Sequence, residues 1–280
     1  MAVKDGSKTL DVAACLERLA SGVSDLGDSA HWKRYLDTQA AFHDYSFNNC
    51  ILIMMQNPEA TRVAGFHTWL KLGRSVRKGE HGIRILAPLT FKRDDVDSDS
   101  PSAERVVRGF RAVSVFDISQ TDGEELPEVA TLLDGEDTEG VYARLVEVAH
   151  GLEFCVVNHE FHGESNGDCS HSERLIRVEW ANSETMRVKT LAHELGHAIL
   201  HADRSIPREM MELEAESVAY VVCQALGIES DSYSFGYLLS WGEDAATSAA
   251  AIKASGTRIA QAAKTILGAL SARSAELVSA

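Results

Sequence analysis

The chain of 280 residues has no apolar run of transmembrane length, and its opening residues, Met1–Gly6, do not read as a signal peptide. Its five cysteines (Cys15, Cys50, Cys155, Cys169, Cys223) are odd in number, scattered, and without a Cys-x-x-Cys pair. That pattern argues against a cysteine-based zinc site and reads as reduced thiols in a cytoplasmic protein. Positive charge is also scarce. Lys and Arg total 27 against 42 Asp and Glu, a net charge of −15. A surface of that sign is not, as a whole, a nucleic-acid binder. What is present suffices for packed cores: 45% hydrophobic residues, in a chain long enough for two domains of ordinary size.

The organising stretch is Leu191–His201, which contains His193-Glu194-Leu195-Gly196-His197. On a helix, His193 and His197 lie one turn apart, about 6 Å along the axis, and project from one face. That placement suits two ligands of a tetrahedral Zn²⁺. Glu194 follows the first ligand, where it can reach an activated water and act as general base. Leu195, Ala198, Ile199 and Leu200 make the helix apolar as well.

A third ligand is sought downstream. In Arg208–Val222, the residues Met211, Ala215, Val218, Ala219 and Val222 form one apolar helical face. Glu212 and Glu216, four apart, share a face beside it, and a cation is a reason to turn two carboxylates towards a core. Glu212 is assigned as the ligand and Glu216 as the group that hydrogen-bonds a ligand imidazole, with the reverse assignment as the alternative. Glu209 and Glu214 read as solvated charges. His201 would lie about 12 Å from His193 on a continuous helix, and reads as a polar residue near the helix C-terminus.

Charge is distributed unevenly. Residues 61–93 carry Arg62, Lys71, Arg74, Arg77, Lys78, Arg84, Lys92 and Arg93 against one acid, Glu80. Cations beside aromatic rings suit single-stranded nucleic acid, because cations neutralise phosphates and rings stack on unpaired bases. Phe66 and Trp69 are the candidate stacking residues; Lys71, Arg74, Arg77, Lys78 and Arg84 are the candidates for the backbone. The competing reading makes the two rings core residues and the charges a solvated face.

Along the chain, residues 9–27 predict a helix capped by Asp11, with Leu16, Leu19, Ala20 and Val23 on one side. A second helix begins near Ser29 and carries Trp32, Tyr35, Leu36 and Ala40. Ser46 caps a short buried helix that Pro58 closes. Gly73 marks a helix C-terminus, and Arg77–Gly82 a tight turn between two strands. The strand from Ile83 is expected to pair with Val106–Phe116, with a flexible loop at Asp94–Glu104. A linker falls near 125–139. Then come a helix at 138–151, a strand at Leu152–Val157, a loop at Phe161–Ser172 and a strand at Arg174–Trp180, with Asn182 or Ser183 capping the metal helix. The Arg174–Trp180 strand is the candidate edge for an extended peptide substrate. Tyr233, Tyr237, His159 and His162 are candidates for polarising a scissile carbonyl. An Ala-rich helix over 244–275, with Ile252, Ile259, Ala263, Ile266 and Leu267 on one stripe, is expected to pack against the body.

Taken together the two halves resemble a known family. Residues from about 40 to 127, through Tyr45-Ser46-Phe47-Asn48-Asn49, Trp69, Gly73–Glu80 and Val115–Gly123, resemble the N-terminal single-stranded-DNA-binding domain of ArdC-type antirestriction proteins. Residues from about 140 to 243, through His193–His197 and Glu212–Glu216, resemble the zincin metallopeptidase domain of the same proteins and of the ImmA/IrrE group. The resemblance implies an α+β chain: an N-terminal mixed helix and antiparallel-sheet domain (1–130), a mainly helical zincin-like domain with a small sheet (138–243), and a C-terminal helix (244–280). It also implies single-stranded DNA as partner, Zn²⁺ as cofactor, and a role on mobile elements in protecting incoming DNA from restriction. The competing functions are a non-proteolytic single-stranded-DNA-binding antirestriction protein and an ImmA/IrrE-like repressor-cleaving regulator.

Overall fold

The computed structural model describes residues 6–92, 105–126, 138–163, 165–203, 205–228 and 245–278. The expected loop at Asp94–Glu104, most of the linker, and Tyr233, Tyr237 and Trp241 lie outside the described residues. The fold is α+β. Its contacts divide it into two compact units, residues 1–24 with 48–125, and residues 25–47 with 126–280.

The first unit holds α1 (Gly6–Asp25), α3 (Phe47–Gln56), β1 (Val63–Gly65), α4 (Phe66–Lys71), β2 (Arg74–Val76), β3 (Ile83–Lys92), β4 (Arg105–Asp117) and β5 (Thr121–Gly123). Strands β1, β4 and β3 form an antiparallel sheet with β4 in the middle, and β2 pairs with β5. The predicted β3–β4 pairing is present, from Ile83 opposite Val115 to Lys92 opposite Arg105. The turn at Arg77–Gly82 therefore joins strands of two different sheets.

Helix α1 begins at Gly6, so Asp11 lies inside it rather than at its cap. Its buried stripe is Cys15, Leu19 and Val23, four residues apart; Leu16, one position round the helix, is 52% exposed. Helix α3 lies along the outer edge of β3. Asn49 donates to the Leu86 carbonyl at 3.0 Å and accepts from its N–H at 2.9 Å. Gln56, two turns on, makes the same pair of bonds to Arg84, at 2.9 Å each. Two amide side chains thus stand in for a neighbouring strand and satisfy an edge that would otherwise be open.

The second unit holds α2 (Ser29–Ala41), α5 (Thr138–Gly151), β6 (Cys155–His159), β7 (Gly167–Ser170), β8 (Leu175–Glu179), α6 (Glu184–Leu200), α7 (Arg208–Ala225) and α8 (Ala245–Val278). The presence of α2 here departs from the division at residue 130. Trp32, Tyr35 and Leu36 are fully buried, and Trp32 donates its indole N–H to Ser217 of α7 at 3.2 Å. Tyr35 donates to the Gly256 carbonyl of α8 at 3.2 Å. Helix α8 also packs into this unit: Ile252, Ile259, Ala263, Ile266 and Leu267 are all at most 3% exposed.

The sheet order is β6-β8-β7, with β6 parallel and β7 antiparallel to β8. This corrects the substrate-edge expectation. Strand β8 is central, and both its ladders are occupied within the sheet. The edge strands are β6 and β7, and of these β7, which falls in the stretch read as a loop, lines the cavity described below.

Candidate functional site

Helix α6 starts at Ser183, whose hydroxyl accepts from the Met186 N–H at 3.3 Å. Val188, Leu191, Ala192 and Leu195 form its fully buried face. The opposite turns carry Thr190, His193, Glu194 and His197 into a cavity of about 770 Å³. Helix α7 crosses close by, since a Cβ on Gly196 would lie 3.0 Å from the Ala215 Cα. Two small residues at the crossing let the α7 carboxylates reach the α6 imidazoles.

There the side chains converge. The Nε2 atoms of His193 and His197 are 3.1 Å apart. Glu212 places one carboxylate oxygen 3.4 Å from the first and 3.5 Å from the second. A tetrahedral ion with bonds of about 2.0–2.1 Å separates its ligand atoms by about 3.3 Å. An octahedral ion with the same bonds separates adjacent ligands by about 2.9 Å. The three edges of the observed triangle are of the size that one ion with such ligands requires, so these residues fit a metal ion; among the described residues they form the group able to hold one. The other nitrogen of His193 lies 3.0 Å from a Glu216 oxygen, so Glu216 receives the ring N–H rather than joining the triangle.

Electrostatics follow from this crowding. In the metal-free protein burial opposes a charged His193, but its hydrogen bonds to the Glu212 and Glu216 carboxylates, which accept, overcome it and push the imidazole up to about 10. His193 and His197 hold Glu212 well below the usual carboxylate range. Burial lowers His197. Glu194 is 6% exposed, and burial pushes it up to about 7, aided by the nearby Asp168 and Glu212 carboxylates and opposed by His193. Strand β7 presses directly on it: a Cβ on Gly167 would meet Glu194 Oε1 at 2.9 Å and Thr190 Cγ2 at 2.5 Å. Arg177 of β8 fixes β7 through Asp168, at 2.9 and 3.1 Å.

Two assignments in this unit change, and that of His201 is refined. Glu214 is not solvated: it is fully buried, against His201 and α8. His201 is itself 4% exposed and caps α6, bonded through its side chain on both sides. His159 and His162 do not line the cavity, whereas His171 does, its Nε2 lying 3.1 Å from the His197 carbonyl. No periodic signal marked His171, a lone histidine in a polar stretch.

The basic stretch of the first unit is sorted by its contacts. Trp69 is fully buried and donates its indole N–H to the Phe116 carbonyl at 2.8 Å, so it is a core residue with no face for a base. Arg74 binds Thr121 through its side-chain oxygen at 2.8 Å and its carbonyl at 3.0 Å, and also the carbonyls of Gly123 and Glu124. It therefore ties β2 to β5. Arg77 is held by Glu80 at 2.9 Å, Asp122 at 3.5 Å and the Ser119 carbonyl. Glu80 in turn accepts from Gln120 at 3.0 Å. The turn needs Gly79, at φ +93°. Phe66 (45% exposed), Lys71, Lys78 and Arg84 do reach the surface. So do Phe110 (56% exposed), Arg108 and Arg111 on β4, none of which was singled out as a nucleic-acid contact.

A helix-borne pair of histidines, closed by a carboxylate from the next helix and edged by a short strand, makes a candidate metal centre. Comparison with known proteins agrees. Residues 16–116 match the N-terminal domain of anti-restriction factor ArdC, and residues 149–223 match the IrrE N-terminal-like domain. The chain thus pairs a region similar to the ArdC N-terminal domain with a region similar to the IrrE N-terminal-like domain. It is similar to the crystal structures of the antirestriction ArdC protein from the R388 plasmid. The metal-free form gives 20% identity and a TM-score of 0.51; the Mn(II)-bound form gives 19% and 0.50. Each match covers 80% of this chain and 84% of the other. The uncharacterized protein pXO2-81 of Bacillus anthracis is 27% identical over 246 residues, covering 72% of this chain. The match spans 41% of that relative's length.

Proposed function

We propose that this chain is a DNA-associated zinc metallopeptidase of the antirestriction type. The observation that carries the reading is the convergence of His193, His197 and Glu212, with the buried Glu194 beside it. These three residues would hold Zn²⁺, and their two-nitrogen, one-oxygen donor set suits that ion. Zinc, when bound, supplies a Lewis acid and an activated water. The chain's own residues do the rest. Glu194, raised by burial to about 7, takes a proton on a carboxylate oxygen at neutral pH and returns it to the departing amide nitrogen. Strand β7, at the cavity wall, offers backbone groups to an extended peptide by strand addition. Peptide hydrolysis is expected to cease on chelation of the metal and to return with added zinc; hydrolysis that survives chelation would exclude the reading.

The first unit is proposed to bind single-stranded DNA. The match to the ArdC N-terminal domain and the exposed Phe66, Lys71, Lys78 and Arg84 support this. Arg74 and Arg77 are poor probes because they hold β2, β5 and the turn. A Lys71→Glu/Lys78→Glu variant is the better one. Each lost phosphate contact lowers the salt slope of single-strand binding by about 0.7, so this variant should lose about 1.4 from the slope of log affinity against log salt. An unchanged slope would move the DNA contacts elsewhere.

A further inference from the structure

A second set of polar groups runs away from the metal triangle into the core. His197 Nδ1, on the side of the ring opposite its metal-facing nitrogen, lies 2.9 Å from His201 Nδ1. His201 Nε2 lies 3.2 Å from a Glu214 oxygen. Glu214 then accepts from the Ser255 hydroxyl and from the Arg258 guanidinium, whose Nε is 3.1 and 3.2 Å from its two oxygens. Glu214 and Ser255 are fully buried and His201 is 4% exposed.

The bond directions are mutually consistent. An imidazole that gives Nε2 to a metal keeps its proton on Nδ1 and donates from there. His201 must then accept at Nδ1, which places its own proton on Nε2, facing Glu214. A carboxylate at that point accepts, and it has Arg258 to balance its charge. Burial disfavours an ionised Glu214, but His201, Arg258 and Ser255 hold it below the ordinary carboxylate range. Each bond from His197 to Glu214 thus has one donor and one acceptor.

We infer that His201, Glu214, Ser255 and Arg258 are positioning residues of the metal centre, which lock the ring orientation and tautomer of His197 from helix α8. The inference rests on the reading that His197 binds the metal through Nε2. It gives the two ligand imidazoles matched anchors. His193 is held by the Glu216 carboxylate directly, and His197 by the Glu214 carboxylate through one intervening imidazole. It also gives the C-terminal helix a task beyond covering the core, since both cationic and hydroxyl partners of Glu214 come from α8.

The test uses the full chain and measures Zn²⁺ and Mn²⁺ affinity by competition with a chelating dye, beside thermal melts of the metal-free protein. His201→Phe keeps a ring of similar size but cannot accept from His197. It should weaken both ions about 10- to 100-fold. In the zinc-loaded wild type the His197 Nδ1 proton should give a slowly exchanging downfield resonance, and His201→Phe should lose it. A Glu214→Gln/Arg258→Met variant removes both charges of the pair together. It should retain a cooperative melt while losing metal affinity, which separates positioning from folding if His201→Phe does not fold. Affinity within twofold of wild type in either folded variant would overturn the positioning role. A wild type that binds neither ion would instead overturn the metal-centre reading itself.

Discussion

Replacing Glu194 with Gln is expected to leave metal binding within a few-fold of wild type while cutting peptide hydrolysis about a hundredfold to ten-thousandfold, the usual contribution of a positioned general base. The substitution is nearly isosteric, which matters because Glu194 Oε1 lies close against the Gly167 backbone of β7. Gln cannot take a proton, so the loss should appear in kcat rather than KM. Metal affinity should survive because the ligand triangle is built from His193, His197 and Glu212 alone. Removing a carboxylate that burial already pushes up to about 7 does not cost the fold a paired charge. Steady-state hydrolysis of an unfolded protein substrate, with the bound metal quantified in the same samples, is the measurement. Undiminished hydrolysis by a fully loaded Glu194→Gln protein would take Glu194 out of the mechanism.

The second large effect is the pH dependence of metal binding. In the metal-free protein His193 sits between two carboxylates and keeps its second proton until pH rises to about 10. A metal must displace that proton from Nε2. Between about pH 7 and 10 apparent affinity should therefore rise about tenfold per pH unit from this group, then level off. The same shift bears on the metal-free fold. His193 is raised above its unfolded value of about 6.5, so its contribution to stability is fully present below that pH and is lost as pH climbs through 10. Glu194 acts in the same direction at lower pH: its contribution is complete below about 4.5 and is lost as pH rises through 7. Calorimetric titrations in buffers of different ionisation enthalpy should show close to one proton released from His193 per metal at pH 8. An affinity independent of pH over this range would mean that the Glu212 and Glu216 contacts do not hold a proton on His193.

The convergence of His193, His197, Glu212 and Glu216 was legible because its information is local. Two histidines four apart on one helix, and two glutamates four apart on another, are fixed by helical period alone. Glu214 was misread for the same reason. The helical wheel of α7 places it away from the apolar stripe, and only the arrival of α8, some forty residues on, buries it. Trp69 beside a row of cations looked like a stacking platform; its real partner is the Phe116 carbonyl on β4, 47 positions away. Strand β7 carries Gly-Asp-Cys-Ser, with neither β-branched residues nor alternation, so nothing in it announces a strand. The order of strands in a small mixed sheet is likewise a tertiary fact. So is the position of α2, whose buried Trp32, Tyr35 and Leu36 were readable as a core face but not as the partners of α7 and α8.

The crossing of α6 and α7 at Gly196 and Ala215 has a consequence for how such a centre can be tuned. Neither residue has any chemistry to offer an ion, yet together they act as a ruler. The distance from the imidazoles to the Glu212 carboxylate is the thickness of what lies between two backbones, and here that is hydrogen on one side and a methyl on the other. A methyl added at position 196 would wedge the helices apart and widen the hole while leaving every donor atom in the sequence. The spacing of the three donor atoms is thus set partly by the residues at the crossing, and can change without any of the three being replaced.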